Sequence, residues 1–267
     1  MSADTVQEPE PAVPPPESDD VVIWRYVDYP KFVAMLESRA LFFTRIAQLG
    51  DSFEGSFPAS QTPMSRLLEL TGVTPPANAQ IQLDPGLADI WRVLREWSSV
   101  CCWHASVHES AAMWYQYASA NAAVAIRSTV GRLKKALGER PQFLDGFGGS
   151  DGFRIGMVKY IDFAKERIPV SSLAAQFFRK RKHFDHEHEL RVVLIDFPVE
   201  PDGHVNPSRH PDDSGREIPV DLTALVKEVV IGAQAPKWYL PLTNKLLARN
   251  GLPLKARLSQ LAAAPNY

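Results

Sequence analysis

From residue 21 onward, short apolar runs alternate with short amphipathic ones. "VVIWRYV" (21–27) is rich in β-branched and aromatic side chains and predicts a strand. Asp28 can cap a helix and Pro30 suits a first turn. Phe32, Val33, Met35 and Leu36 recur at helical spacing, so "PKFVAMLESR" predicts a short amphipathic helix. "ALFFTR" (40–45) predicts a second strand. "AQLGDSFEGSFP" predicts a loop, because Gly50, Asp51, Ser52, Gly55 and Pro58 are turn formers. Residues 64–72 and 87–97 carry helical spacing on either side of the irregular "VTPPANAQIQLDPG".

The alternation continues to the C-terminus. "SSVCCWHAS" predicts a strand and "ESAAMWYQYASA" a helix, with Ser110 as its cap. "AAVAIRST" (strand) and "VGRLKKALG" (helix) follow, then a glycine-rich loop, "DGFGGSDG", and the strand "FRIGMVKYI". "VSSLAAQFFRKRK" predicts a helix whose basic last turn suits the helix dipole, and "HELRVVLIDF" a strand. The polar "DGHVNPSRHPDDSG" reads as a hairpin or loop. It leads to "EIPV" (strand), "DLTALV" (helix), "EVVIG" (strand), "PKWYLPLTNKLLARN" (helix) and "LKARLS" (strand). There is no internal repeat. The regular strand–helix–strand rhythm and the glycine fingerprint of a dinucleotide fold are both missing. The pattern therefore predicts a single α+β domain over residues 21–267, with a central mixed or split β-sheet flanked by short helices.

Residues 1–20, "MSADTVQEPEPAVPPPESDD", are dominated by proline and acid and predict a disordered tail. The 267 residues are 45% hydrophobic and 22% charged, enough for a sizeable core. A net charge of -2 means that any basic surface has to be local. The two cysteines, Cys101 and Cys102, are neighbours, a spacing that rarely meets disulfide geometry, and read as thiols. No secretory leader pattern and no membrane-length apolar run are present, so a cytoplasmic protein without membrane contact is expected.

The densest chemistry lies in "KRKHFDHEHELRVVLIDF" (180–197). If residues 187–197 are extended, Glu187, Glu189 and Arg191 share one strand face. Two carboxylates so placed repel, and need a cation, a donor or a substrate between them. This Glu-x-Glu is either an ion pair at the mouth of a strand or a catalytic or ligand-binding pair. Arg25 interrupts an apolar strand, and a buried arginine seeks a carboxylate or a phosphate. Glu187 and Glu189 are its candidate partners; an edge strand facing solvent is the other reading. Asp51 and Glu54 sit in a glycine-bounded turn, as an Asx-type anchor or as partners for an arginine. Met113, Trp114 and Tyr117 share a helix face, suited to the core or to a pocket edge. Cys102, His104, His108 and His186 or His188 match no zinc spacing, so no metal is expected. Arg179, Lys180, Arg181 and Lys182, interleaved with Phe177, Phe178 and Phe184, have the composition of a nucleic-acid grip, or of a solvated helix end.

Three segments, "WRYVD…FVAMLESRALFFTRIAQLGDSFEG", "SVCCWH…ESAAMWYQYA…AVAIRST" and "FFRKRKHFDHEHELRVVL", resemble the bacterial family known as domain of unknown function 2971. The Met113-Trp114-x-x-Tyr117 and Glu187-x-Glu189-x-Arg191 motifs fit its pattern. Gly50-Asp51-Ser52-Phe53-Glu54 departs at two places from its Asn-Asp-Pro-Phe-Glu. The order of elements is also similar to ADP-ribosyltransferase-like domains, with a basic residue on the first strand and glutamates entering a late one. That likeness implies NAD as substrate, with Arg25 and Glu189 or Glu187 in the outer catalytic positions and Ser98, Ser99 or Thr44 in the middle one. Arg25 and Arg191 would then meet phosphate or ribose, and Trp24, Tyr26, Trp114 or Tyr117 would stack on nicotinamide. A nucleic-acid-binding or processing protein, and a non-catalytic interaction domain built on a charge network, are the alternatives.

Overall fold

The computed structural model describes residues 10–62, 65, 66, 68, 69, 72, 89–117, 123–138, 153–169, 171–198, 200, 201 and 206–263. The strands are β1 (Val22–Asp28), β2 (Ala40–Arg45), β3 (Ser99–Ala105), β4 (Ala123–Thr129), β5 (Phe153–Met157), β6 (Lys159–Ile161), β7 (Arg179–Arg181), β8 (Glu189–Leu194), β9 (Gly215–Pro219), β10 (Glu228–Ile231) and β11 (Arg257–Leu258). The helices are α1 (Tyr29–Ser38), α2 (Ile90–Trp97), α3 (Ala111–Tyr117), α4 (Val130–Leu137), α5 (Leu222–Leu225) and α6 (Tyr239–Arg249). Asp28, Thr129 and Asp221 cap α1, α4 and α5 by accepting from backbone N–H groups of the first turn. The predicted helix over 64–72 lies partly, and the loops at 73–86 and 145–152 wholly, outside the described residues.

Nine strands form one mixed sheet in the order β11-β10-β4-β1-β3-β2-β9, with β8 on the free edge of β3 and β5 on β8. β6 and β7 make a separate parallel pair. The fold is the expected α+β domain with helices flanking a central sheet. One sheet face buries Ile23, Phe43, Cys101, Trp103, Leu190 and Val192 against Phe32 and Leu36 of α1, Leu133 of α4 and Leu247 of α6. The other face carries two smaller clusters. Trp24 and Tyr26 pack with Met113 and Trp114 of α3, and Val100 and Val193 pack with Trp91, Phe177 and Phe178.

The sheet divides at β3. One edge of β3 pairs with β8 from Ser99 to His104. The other edge takes two strands: β1 at Trp24↔His104 and Ile23↔Ala105, and β2 at Thr44↔Val100 and Arg45↔Ser99. Between those contacts Cys101, Cys102 and Trp103 are paired to β8 alone. β1 and β2 both run antiparallel to β3, join it at opposite ends and splay apart, leaving a wedge. The split sheet follows from this register.

Two expectations change. The segment 170–182 is not a helix. It forms a 3-10 turn at Ala175–Phe178, then β7, then a 3-10 helix at Lys182–Glu187. A helix would turn the four bases toward solvent around one turn. The extended β7 instead alternates them, sending Lys180 opposite to Arg179 and Arg181. The tail boundary at residue 20 also moves. Residues 10–20 lie along the fold: the Pro14 carbonyl accepts from Met157 N at 2.7 Å and Val13 packs in the core. Glu10 pairs with Arg179 at 2.7 Å and Lys159 at 2.6 Å. Proline fixes the backbone in an extended form, and the buried Arg179 supplies the partner that the composition alone does not show.

Gly156 in β5 is what admits this segment. A Cβ there would stand 2.5 Å from Val13 Cγ1 and 2.8 Å from the Pro14 carbonyl oxygen. Gly156→Ala should lift residues 10–17 from β5 and cost about 1–3 kcal/mol, the usual range for overpacking. Cleavage by a glutamate-specific protease after Glu17 should accelerate, and cleavage at the wild-type rate would show that the segment is held elsewhere.

Candidate functional site

The wedge between β1 and β2 is a cavity of ≈ 530 Å³, within the range of small-molecule sites at about 300–1,000 Å³. Lys31, Ala34, Met35 and Ser38 of α1 line one side. Arg25 and Val27 of β1, Phe42 and Thr44 of β2, and Cys102, Trp103 and His104 of β3 line its walls. Tyr26, Met113, Tyr117, Glu187 and Glu189 line the far end. The cavity thus passes through the sheet, from the α1 face to the α3 face.

At the α3 end, three carboxylates surround two cations. Lys180 Nζ lies 2.5 Å from Glu187 Oε2, 3.2 Å from Glu54 Oε1 and 3.7 Å from Glu189 Oε2. Arg191 Nη2 donates to Glu54 Oε2 at 2.6 Å and to Glu189 Oε2 at 2.7 Å, while its Nη1 donates to the Phe177 carbonyl at 2.7 Å. All five side chains are buried. Burial of charges is costly unless each is paired and hydrogen-bonded, and this network meets that condition through four separate pieces of chain. Glu54 comes from the 50–55 loop, where Gly55 adopts φ +73 with Ile46, Phe177 and Arg95 close around it. Arg95 of α2 pins that loop by donating to the Glu54 carbonyl at 2.8 Å. Lys180 comes from β7, Glu187 from the end of the 3-10 helix, and Glu189 and Arg191 from β8.

Glu187 does not belong to the strand, contrary to the extended reading of 187–197. His188 between the two glutamates has φ 39 in the left-handed region, and β8 starts at Glu189. The carboxylates therefore approach Lys180 from two elements rather than from one strand face. Glu187 Oε1 accepts from Gln116 Nε2 at 2.7 Å and from the Tyr117 hydroxyl at 3.1 Å, which ties α3 to the cluster. The Tyr160 hydroxyl accepts from Glu189 N at 2.9 Å.

Protonation follows from these neighbours. Burial would raise the Glu189 carboxyl, but Arg191 and Lys180 outweigh it and hold the group below its ordinary value. Burial would lower Lys180, yet Glu189 and Glu54 keep its ammonium above its ordinary value. Burial and the glutamate charges push the Tyr117 and Tyr160 hydroxyls up, so both stay neutral: Tyr117 donates to Glu187 and Tyr160 accepts from Glu189 N. Cys102 is driven well up by burial and by Glu189, which leaves it a thiol rather than a thiolate nucleophile. Both cysteines are free.

Arg25 does not meet the glutamates. It shares the Ile23 and Cys101 face of the sheet, whereas Glu189, Arg191, Cys102 and His104 lie on the opposite one. Its Nη2 donates to the Phe42 carbonyl at 2.9 Å, its Nη1 lies 2.5 Å from Cys101 Sγ, and the guanidinium stands 6.0 Å from the Trp103 ring centre. It bridges the wedge from β1 to β2 and has no carboxylate partner among the described residues.

The other predicted residues divide. Tyr26, Tyr117 and Trp24 reach the cavity. Trp114 packs edge-on against Tyr26 at 4.9 Å, outside the cavity lining. Burial raises the Tyr26 hydroxyl to about 12, and it accepts from Ser110 N. Arg191 lies beneath the glutamates rather than on the lining. Thr44 lines the cavity, while Ser98 and Ser99 are fully buried away from it. Asp51 forms the Asx-type contact to Phe53 N at 3.1 Å and also pairs with Arg181 at 2.9 Å.

The basic run is not a free cationic strip. Arg179 pairs with Glu10, Lys180 with the three glutamates, Arg181 with Asp51 and Lys182 with Glu166. Phe177 and Phe178 are core residues. Reading the run as a helix end hid Lys180 as a site residue. Glu54 was visible only as a turn carboxylate, and Gln116, Tyr160 and His104 carry no sequence signal beyond their types. Among the described residues no group of His, Cys, Asp or Glu can hold a metal ion, and no helix is long and apolar enough to cross a membrane.

Lys180→Met leaves three buried carboxylates on one arginine. It should cost about 3–5 kcal/mol, the usual penalty for breaking a buried pair from one side. In the wild type Glu189 has a depressed folded-state value. Its contribution to stability is complete above the unfolded value of about 4.3 and is lost as the pH falls below it. In the variant the carboxylates have reason to hold a proton, so the wild-type advantage should shrink on acidification. Denaturant melts from pH 7 to pH 4 test this, and a constant difference between the two proteins would contradict it.

Comparison of the chain with protein-family models, curated proteins and solved structures gives no match, so the site has to be read from its own chemistry.

Proposed function

We propose that the wedge binds a pyridine dinucleotide and that the protein is an NAD-using enzyme acting at the nicotinamide–ribose bond. The observation that carries this reading is the polarity of one cavity. At one end stands Arg25, which bonds no carboxylate among the described residues, with Lys31 and Glu217 also on that lining. At the other, Glu187 and Glu189 reach the lining from a cluster in which three carboxylates, with Glu54, meet two cations, Lys180 and Arg191. NAD has the complementary pattern, an anionic pyrophosphate and a cationic pyridinium. Arginine recognises phosphate through its fork of donors. A carboxylate of the Glu187–Glu189 pair can orient a ribose hydroxyl and stabilise the oxocarbenium-like centre that forms as the C1′–N bond breaks. The bond's electron pair goes to the pyridinium nitrogen, and neutral nicotinamide leaves. Tyr26, Trp103 and Tyr117 offer aromatic surface to the ring.

The likeness of element order to ADP-ribosyltransferase-like domains and the motif resemblance to domain of unknown function 2971 support the same proposal. Cytoplasmic placement belongs to it too, since NAD is an intracellular substrate and the cysteines are thiols. The nucleic-acid reading gains no support from the basic run, whose four cations are paired within the chain.

The test is calorimetric titration with NAD together with assay of nicotinamide release. The wild type should bind and release. Glu187→Gln with Glu189→Gln should abolish release while retaining binding. Arg25→Met should weaken binding at least about tenfold, as expected for a lost charge-assisted contact of about 1.5–3 kcal/mol. A wild type that does not bind millimolar NAD, with variants that lose only stability, would make the cluster a structural network.

A further inference from the structure

Among the titratable groups on the cavity lining outside the charge cluster is one imidazole. His104 is the penultimate residue of β3, opposite Glu189 on β8 and opposite Trp24 on β1. Its side chain is only 4% exposed, yet it lines the cavity. Its Nδ1 lies 2.6 Å from the backbone carbonyl of Glu187. A carbonyl oxygen can only accept, so Nδ1 carries the hydrogen and Nε2 carries the lone pair. The tautomer is thus set by the backbone of the 3-10 turn that also delivers Glu187. Nε2 has no partner among the described residues.

We infer that His104 is the general base of the reaction proposed above, taking through Nε2 the proton of the water or hydroxyl that attacks the ribose. This rests on the NAD reading of the site. In the hydrolytic case the water oxygen forms the bond to ribose C1′, the C1′–N pair leaves on nicotinamide, and the water's proton passes to Nε2. It is then released to solvent, so NAD and water become ADP-ribose, nicotinamide and a proton. No further reactant is needed.

The surroundings suit a base that stays neutral near pH 7. Burial lowers His104 from its ordinary value, opposed by the bond to the Glu187 carbonyl and reinforced by His188 and His186. The groups that face it are Tyr26 from β1, Cys102 from its own strand, Glu189 from β8, and Glu187, His186 and His188 from the turn. The His188 ring is 6.1 Å from its own and the Tyr26 ring 6.2 Å, both edge-on. Cys102 and Tyr26 are held protonated, and Glu189 is committed to Arg191 and Lys180, whereas His104 Nε2 has no partner among the described residues.

His104→Asn is the informative variant. Its amide nitrogen can keep the donor to the Glu187 carbonyl, while the Nε2 lone pair is removed. Nicotinamide release should fall about 100-fold or more, the range for a lost general base, with the Kd for NAD within about twofold of wild type. The acid limb of the rate profile should disappear, and added imidazole should restore part of the rate. A variant that releases nicotinamide at the wild-type rate with that limb intact overturns the base assignment and leaves the NAD reading standing. A wild type that binds NAD without releasing nicotinamide removes the base but keeps the binding site. A wild type that neither binds nor releases removes both. If the variant does not fold, imidazole nitrogen shifts in the full-length wild type decide. His104 should be the neutral Nδ1–H tautomer at pH 7 and titrate where the rate does, and any other tautomer or a protonated ring overturns the proposal.

Discussion

Lys180 is the centre on which the α3 end of the cavity depends. Its ammonium is removed from water, and the cost is offset only if carboxylates from elsewhere in the chain converge on it. Glu54, Glu187 and Glu189 do so, from a loop, a 3-10 turn and a strand. Each of those carboxylates in turn fixes something else. Glu54 shares Arg191 with Glu189, which locks the 50–55 loop against β8. Glu187 gathers Gln116 and Tyr117, which locks α3 over the same spot. The segments meet here with all five buried charges paired. An apolar core of the same size would demand less positional accuracy, so the polar centre fixes where the cavity ends and which side chains face it.

The second constraint is the register at β3. Its edge has room for one continuous strand but receives two, β1 at one end and β2 at the other. The helix α1 that connects them is ten residues long and packs its buried face between them. A strand pair that closed fully on β3 would leave no space above Cys101–Trp103. Arg25 stands in that space, bonded across it to the Phe42 carbonyl, and so holds the wedge open rather than filling it with apolar atoms. The register thus makes the opening, and the Lys180 cluster gives that opening its polarity.

Much of this was legible in the residues. β-branched and aromatic runs marked the strands, and the caps Asp28 and Ser110 marked helix starts that the structure has. The Glu-x-Glu was singled out for a correct physical reason, that two close carboxylates need a cation. What local pattern cannot supply is the identity of that cation. Lys180 sits seven residues before Glu187, in a run that looks like a helix end, and its burial depends on β7 pairing with β6. The same holds for Glu54, whose role as a buried ligand of Arg191 is fixed by a contact 137 residues away in sequence. Arg25 shows a different failure. Its residue type suggested a glutamate partner, but strand alternation puts it with Ile23 on the opposite face. The proline-rich segment before residue 21 was read from composition, and composition is blind to a single buried arginine waiting for Glu10.

The charge count separates a ligand site from a purely structural network. Elsewhere in the chain Asp51 pairs with Arg181 and Glu109 with Arg257, whereas the buried Arg66 donates only to the Ile168 and Pro169 carbonyls. The wedge is unbalanced at both ends, and in opposite senses. Its α3 end has one carboxylate more than it has cations, and Arg25 bonds only neutral acceptors, a carbonyl and a thiol. If the two imbalances existed only for stability, joining Arg25 to a glutamate would relieve both at once. The sheet keeps them on opposite faces with a cavity between. On the proposed reading, a ligand carrying both signs would meet the half-buried Arg25 at one end and the carboxylate surplus at the other.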